Sequence, residues 1–177
     1  MSWSKIAGPL VLALTLTLTL SACGFQLRGR ANLPFETLFV EGANPALAAD
    51  LKRAIGIGSS TRLAPSPVDA QAVLQISDEN REKRILSLSG AGRVREYLLV
   101  YRVEFRLHDN QNRDLLPRQT IELRRDMTYD DTLVLAKESE EVLLYQDMQT
   151  DAISQILRRL KAAKLPPPGV ESAGSED

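Results

Sequence analysis

The chain of 177 residues carries one cysteine and one histidine. A single thiol excludes an intramolecular disulfide framework. His108 sits beside turn chemistry at Asp109 and reads as a surface histidine. With no second His or Cys once Cys23 is modified, zinc ligation and Cys–His or Ser–His catalysis have no parts. Aromatic residues are only 5% of the chain, and the formal net charge is −1, so no field of one sign points to nucleic acid. Gly90-Ala91-Gly92 is too short for a phosphate-cradling loop and lies between two strand patterns rather than before a helix. Asp130-Asp131 reads as a cap or a solvated turn. No enzyme activity, metal or cofactor is expected. Beyond residue 20 there is also no apolar run near the roughly 20 residues a spanning helix needs, so the body lies outside the hydrocarbon.

The one cysteine is informative by position. Lys5 gives a positive start, and Ile6 through Leu20 form an apolar run of Leu, Ala, Val and Thr. Leu20-Ser21-Ala22-Cys23 follows directly. This is a lipobox: small residues suit a peptidase subsite, and the Cys23 thiol takes a diacylglyceryl group through a thioether. Residues 1–22 are then a cleaved lipoprotein signal peptide. With a further palmitate-type chain, several acyl chains sit on one residue, and two already give stable membrane attachment. Gly24, rather than Asp, resembles the outer-membrane sorting pattern.

The mature chain has the size of one domain able to bury a core. Residues 23–35 read as a lipidated tether and 36–165 as the folded domain. Residues 166–177, beginning Pro166-Pro167-Pro168 and ending in Ser, Gly and acids, lack the apolar content to fold. Thr37–Val40 is a first strand. Asn44 as N-cap and Pro45 as first helical residue open a helix whose apolar stripe is Leu47, Leu51, Ala54 and Ile55, closed by Gly56 and Gly58. Ala64–Val68 is a loop.

Ala72–Ser89 is extended, with Leu74, Ile76, Leu86 and Leu88 on one parity. Its polar centre, Asp78–Arg84, fits a bulge or an excursion at the rim of the sheet. Tyr97–Leu107 alternates strictly, the odd residues apolar and Arg102, Glu104 and Arg106 opposite. That polar row is either solvated or set against a polar partner. Arg118–Met127 alternates again, with Ile121 and Leu123 inward. A second helix follows, with Glu138, Glu140 and Glu141 suiting its first turn and Arg158, Arg159, Lys161 and Lys164 its last. The fold expected is α+β: a four-stranded mixed sheet with two helices on one face, in the order β-α-β-β-β-α.

In such a meander the turn between the second and third strands lies at the sheet end where the fourth strand exits. Arg93 and Arg95 then approach Lys137. They are either ordinary solvated charges or a set able to hold phosphate groups.

The order and spacing of Cys23-Gly24, Leu27-Arg28-Gly29, Glu96-Tyr97 and Leu135-Ala136-Lys137 resemble the LPS-assembly lipoprotein LptE family. The resemblance spans Cys23 to about Leu165. It implies an outer-membrane lipoprotein that plugs the barrel protein LptD, assists its assembly, and binds lipopolysaccharide during insertion into the outer leaflet. It places the family's lipid-phosphate lysine at Lys137. Gly90 stands where the family has a companion arginine, and Arg93 and Arg95 are the substitutes. The implied partners are LptD, lipopolysaccharide and the outer membrane through acylated Cys23. The alternatives are an auxiliary lipoprotein of another envelope transport system and a periplasmic hydrolase.

Overall fold

The computed structural model describes residues 32–42 and 44–164. The lipobox, most of the tether and the C-terminal tail lie outside the described residues. The elements are β1 (Thr37–Gly42), α1 (Pro45–Gly58), β2 (Arg62–Leu63), β3 (Ala72–Leu88), β4 (Val94–His108), β5 (Asp114–Thr128) and α2 (Val134–Ala162).

The sheet has five strands in the order β2-β1-β3-β4-β5, one more than the sequence suggests. The extra strand, β2, is two exposed residues with no alternation to read. Tertiary context creates it: Arg62 N–H donates to Glu36 O at 2.8 Å and Ala64 N–H to Leu38 O at 2.9 Å. Pro65 and Pro67 prevent its extension. β1 runs parallel to both β2 and β3, whereas β3, β4 and β5 form the expected antiparallel meander.

β4 organises the core. Leu99, Tyr101, Val103, Phe105 and Leu107 are all fully buried, because their shared parity presents them to the helices. Buried Leu47, Leu51 and Ile55 of α1, with Met148, Ala152, Ile156 and Leu160 of α2, complete a single cluster with them. Leu33 and Phe35, read from sequence as tether, belong to this core at 8% and 3% exposure.

The start of α1 is capped as its sequence suggests, but Gly56 and Gly58, expected to close it, lie within the helix, and Ser59 caps its end. Asn44 Oδ1 accepts from Ala46 N–H at 2.9 Å, and Ile55 O accepts from Ser59 N–H and Oγ. The start of α2 differs from expectation. It begins at Val134, so no acid occupies its first turn, and Glu138 onward falls in later turns. The chain leaving β5 is already reversed by Asp130, whose Oδ1 accepts from Thr132 N–H and Oγ. Lys164 lies just beyond the helix.

The two hairpins share one turn design. Ser89 and Asp109 each close the loop through backbone bonds to Arg93 and Arg113, with Gly92 at φ 75° and Asn112 at φ 63° in the left-handed position. In the second turn the buried Asp109 carboxylate accepts from Gln111 N–H, Arg113 N–H and Arg113 Nε at 2.7–2.9 Å. Burial alone would raise its pKa. The Arg113 and Gln111 donors outweigh that and hold it below the usual carboxylate range.

A carboxylate depressed in the folded state contributes stability above its unfolded pKa and loses it as pH falls through the folded value. Replacing Asp109 with Asn should therefore flatten the acid limb of a stability–pH profile below about pH 4, measured by urea melts. An unchanged limb would show that the turn carries none of the acid sensitivity.

Candidate functional site

The candidate site lies at the sheet end formed by the end of β3, the start of β4, the end of β5 and the start of α2. Register brings these together: Glu96 pairs with Thr128, and Leu88 with Val94. Tyr129 N–H donates to Arg95 O at 2.7 Å, continuing the ladder past β5.

The three cations singled out from sequence all lie at this end, each in a different setting. Lys137, one turn into α2, extends back so that Nζ donates to Thr128 Oγ at 3.1 Å and Glu140 Oε2 at 2.8 Å. Its side chain is only 15% exposed. An ammonium has three donors, and two are engaged. Arg93 is exposed and pairs with Asp131 at 3.2 Å, which ties the β3–β4 turn to the loop before α2. Arg95 is exposed and has no side-chain hydrogen bond or ion pair among the described residues. It lines a concavity of about 490 Å³ with Ser87, Leu88, Glu96, Thr128 and Tyr129. Thr128 thus joins the Lys137 contact to the Arg95 concavity. In the preceding turn Gly92 takes the left-handed position at φ 75°.

Sequence reasoning missed the charges beside this end. β3 carries a register irregularity at Ser77. An extra residue there reverses parity, so Glu79, Arg81 and Lys83 stand opposite Val103, Tyr101 and Leu99 on the helix-covered face. Further register shifts between Ile85 and Ser87 and between Ser87 and Leu88 break the alternation again, and Leu86 and Leu88, expected inward with Leu74 and Ile76, are exposed at 47% and 55%.

Each turned-in charge is matched. The Glu79 side chain, 7% exposed, accepts from Tyr101 OH at 2.8 Å and from the Asn44 amide. Arg81 lies between the Tyr101 and Tyr145 rings, 5.6 and 5.5 Å from their centroids, and donates to Gln149 at 2.8 Å. Lys83 pairs with Glu141 and sits 4.2 Å over the Tyr97 ring, which meets Tyr129 edge-on at 5.1 Å. Tyr145 OH donates to Glu82 O at 2.8 Å, supplying a partner to the β3 edge beyond the reach of β1. Burial, then the adjacent Glu79, pushes the Tyr101 phenol well above its ordinary pKa. Burial does the same to Tyr145, with Glu141 adding to it. Both remain hydrogen-bond donors at any physiological pH.

The opposite sheet face is open. Arg102 pairs with Glu122 at 2.7 Å, and Arg124 with Glu122 at 2.6 Å. The guanidiniums of Arg102 and then Arg124 hold the Glu122 carboxyl below its usual value. Arg84 and Glu82 form a further pair on β3. The row Arg102, Glu104, Arg106 is thus a mixed-sign ladder. His108, at the far end of β4, engages Asp109 O through Nδ1 at 2.8 Å and lies away from the cationic end.

Comparison with known proteins places this architecture. The family model described as Lipopolysaccharide-assembly, LptE, matches residues 35–160. The chain belongs to the LptE family. It is similar to the LPS-assembly lipoprotein LptE of Yersinia pestis (strain Pestoides F), at 27% identity over 155 residues, covering 85% of this chain and 73% of the relative. It is also similar to lipoprotein B of Nitrosomonas europaea, solved by NMR in solution. There the identity is 45%, the TM-score 0.70, and the coverage 78% of this chain and 91% of that one. The crystal structure of rare lipoprotein B from Shewanella oneidensis is similar at 26% identity and TM-score 0.63, covering 71% and 94%. The protein is therefore a lipoprotein of lipopolysaccharide assembly, with the mixed sheet and two helices of LptE-like lipoproteins. Among the described residues no helix is long and apolar enough to cross a membrane.

The inner polar tie makes a checkable demand. Tyr101→Phe removes one donor from the buried Glu79 carboxylate and should cost about 1–3 kcal/mol of stability in urea unfolding. Because Asn44 serves the same carboxylate, Asn44→Ala and Tyr101→Phe should combine non-additively. Strict additivity would mean that the two donors act independently.

Proposed function

We propose that this protein is an outer-membrane LptE, acylated at Cys23, that plugs the LptD barrel, assists its assembly, and binds lipopolysaccharide with Lys137, Arg93 and Arg95 during insertion into the outer leaflet. In this reading residues 1–22 are the removed signal peptide. The tether ends near residue 32, since Leu33 and Phe35 are core residues, and residues 166–177 are an unstructured tail.

The observation that carries the reading is the convergence of Lys137, Arg93 and Arg95 on one sheet end within a chain of this family. Lys137 keeps a donor in reserve, and Arg95 faces a concavity wide enough for a phosphate. Charge-assisted hydrogen bonds to phosphate oxygens are the strong class of such contacts. A barrel lumen is polar, and the mixed-sign ladder on the open sheet face is a surface suited to it.

The poles of the molecule add support. The chain enters through Leu33 and Phe35 at the sheet end where Leu38 pairs with Ala72, the end opposite the Ser89–Arg93 turn. β4 has 15 residues, and at about 3.3 Å each that separates the poles by up to ~50 Å. The hydrocarbon core of a bilayer is about 30 Å thick. A plug anchored at one pole therefore carries its cations across a distance comparable to a membrane.

Native lipidated protein, extracted in mild detergent, should co-purify with a stoichiometric barrel protein, and crosslinkers placed on the open sheet face should reach residues of the lumen. Recovery without such a partner would sink the plug reading. Lys137→Met, with the fold intact by circular dichroism, should lower lipopolysaccharide affinity about tenfold or more. Unchanged affinity would remove Lys137 from the site. Cys23→Ala should abolish acylation, as read by mass spectrometry.

A further inference from the structure

Large apolar side chains that remain exposed are unevenly placed. Among the described residues there are 11, and eight of them lie on the last turn-side residues of β3 or from the start of α2 to Leu143. Ile85, Leu86 and Leu88 are 58%, 47% and 55% exposed, and Leu133 and Leu135 are 53% and 80% exposed. Scattered singly, such residues need no explanation. A cluster at one end marks an interaction site.

The cluster adjoins the cations. Ile85 stands directly opposite Tyr97. The Tyr97 ring meets Tyr129, and Lys83 sits over both rings at 4.2 and 5.9 Å. Leu88 lines the same concavity as Arg95 and Thr128. Leu133 O accepts from Lys137 N–H at 3.0 Å, and Leu135 follows on the same first turn of α2. Apolar surface and cations therefore alternate around one rim. A soluble phosphate would use only the cations, and a neutral lipid only the apolar side chains.

We infer that this rim is an acyl-chain seat: Ile85, Leu86 and Leu88 of β3 with Leu133 and Leu135 at the start of α2 hold the hydrocarbon of the phosphorylated glycolipid whose phosphates Lys137, Arg93 and Arg95 bind. This rests on the lipopolysaccharide-binding reading above and adds the apolar half of the site. The two halves recognise an anionic amphiphile as a unit. The turn-side end of β3 makes the seat: register shifts between Ile85 and Ser87 and between Ser87 and Leu88 break the alternation there, and Ile85, Leu86 and Leu88 are all exposed. The side chains are already exposed in the folded protein, so exchanging them for polar ones leaves the core untouched.

The test uses the mature chain carrying Cys23→Ala, which needs no detergent, and two probes: fully acylated lipopolysaccharide, and its completely de-acylated phosphosaccharide. The double variant Leu86→Ser/Leu135→Ser should weaken binding of the acylated probe by about tenfold, the scale expected for losing two partly covered leucines. Its melting temperature and its binding of the de-acylated probe should not change. Lys137→Met should weaken both probes.

Equal affinity of the unsubstituted rim for the two probes would overturn the seat and leave the phosphate site standing. Full retention of acylated-probe binding by the double variant would also overturn it. If that variant in its lipidated form lost its barrel partner as well, the rim would be a protein contact. Failure of the unsubstituted protein to bind either probe would defeat the lipopolysaccharide-binding reading itself.

Discussion

The structure depends on the strict alternation of β4. Its odd residues from Leu99 to Leu107 are fully buried, and its even residues Arg102, Glu104 and Arg106 face water. As the middle strand of the meander it sets the register of β3 on one side and β5 on the other. Both helices rest on the surface it defines. A slip of one residue would exchange the apolar and charged sets, and with large buried side chains worth roughly 1.5–3 kcal/mol each, no alternative pairing competes.

Upon that constraint the Ser77 bulge acts as a divider. Before it, β3 is a core strand shared with β1. After it, β3 is an arm whose inner face bears Glu79, Arg81 and Lys83. The first half of α2 is therefore held to the sheet by aromatic rings and ion pairs rather than by aliphatic packing. Lys83 with Glu141, Arg81 with Gln149, and Tyr145 with the Glu82 carbonyl are its ties. Every buried side-chain polar atom among the described residues has a partner, so the arrangement avoids the penalty of an unsatisfied group. The molecule has an apolar pole, where Leu33 and Phe35 join the core, and a polar and amphiphilic pole, where the cations stand.

That division suits a protein of lipopolysaccharide assembly. Leu33 and Phe35 enter the core at one end of the long sheet, and Arg93, Arg95 and Lys137 stand at the other. The ion pairs of the open face contribute little to stability individually. Together they present a mixed-sign surface on the open face.

Much of this was legible in residue order. The spacing of Leu47, Leu51 and Ile55 behind Asn44-Pro45 determined α1, because a side-chain cap and a 3.6-residue stripe are local properties. The alternation of Tyr97–Leu107 determined β4 for the same reason. Meander topology alone put Arg93, Arg95 and Lys137 at one end, since antiparallel strands return to where they started. Tertiary structure decided the rest. β2 exists only because β1 offers an unpaired edge. The α2 start moved to Val134 because Asp130 completes the turn with Thr132. Parity beyond Ser77 could not be read, because each register shift along β3, at Ser77 and again between Ile85 and Leu88, resets which face a side chain takes and leaves no mark in composition. Local periodicity is a property of the chain; which face a strand shows after a bulge, and which neighbour answers its charges, belongs to the packed whole.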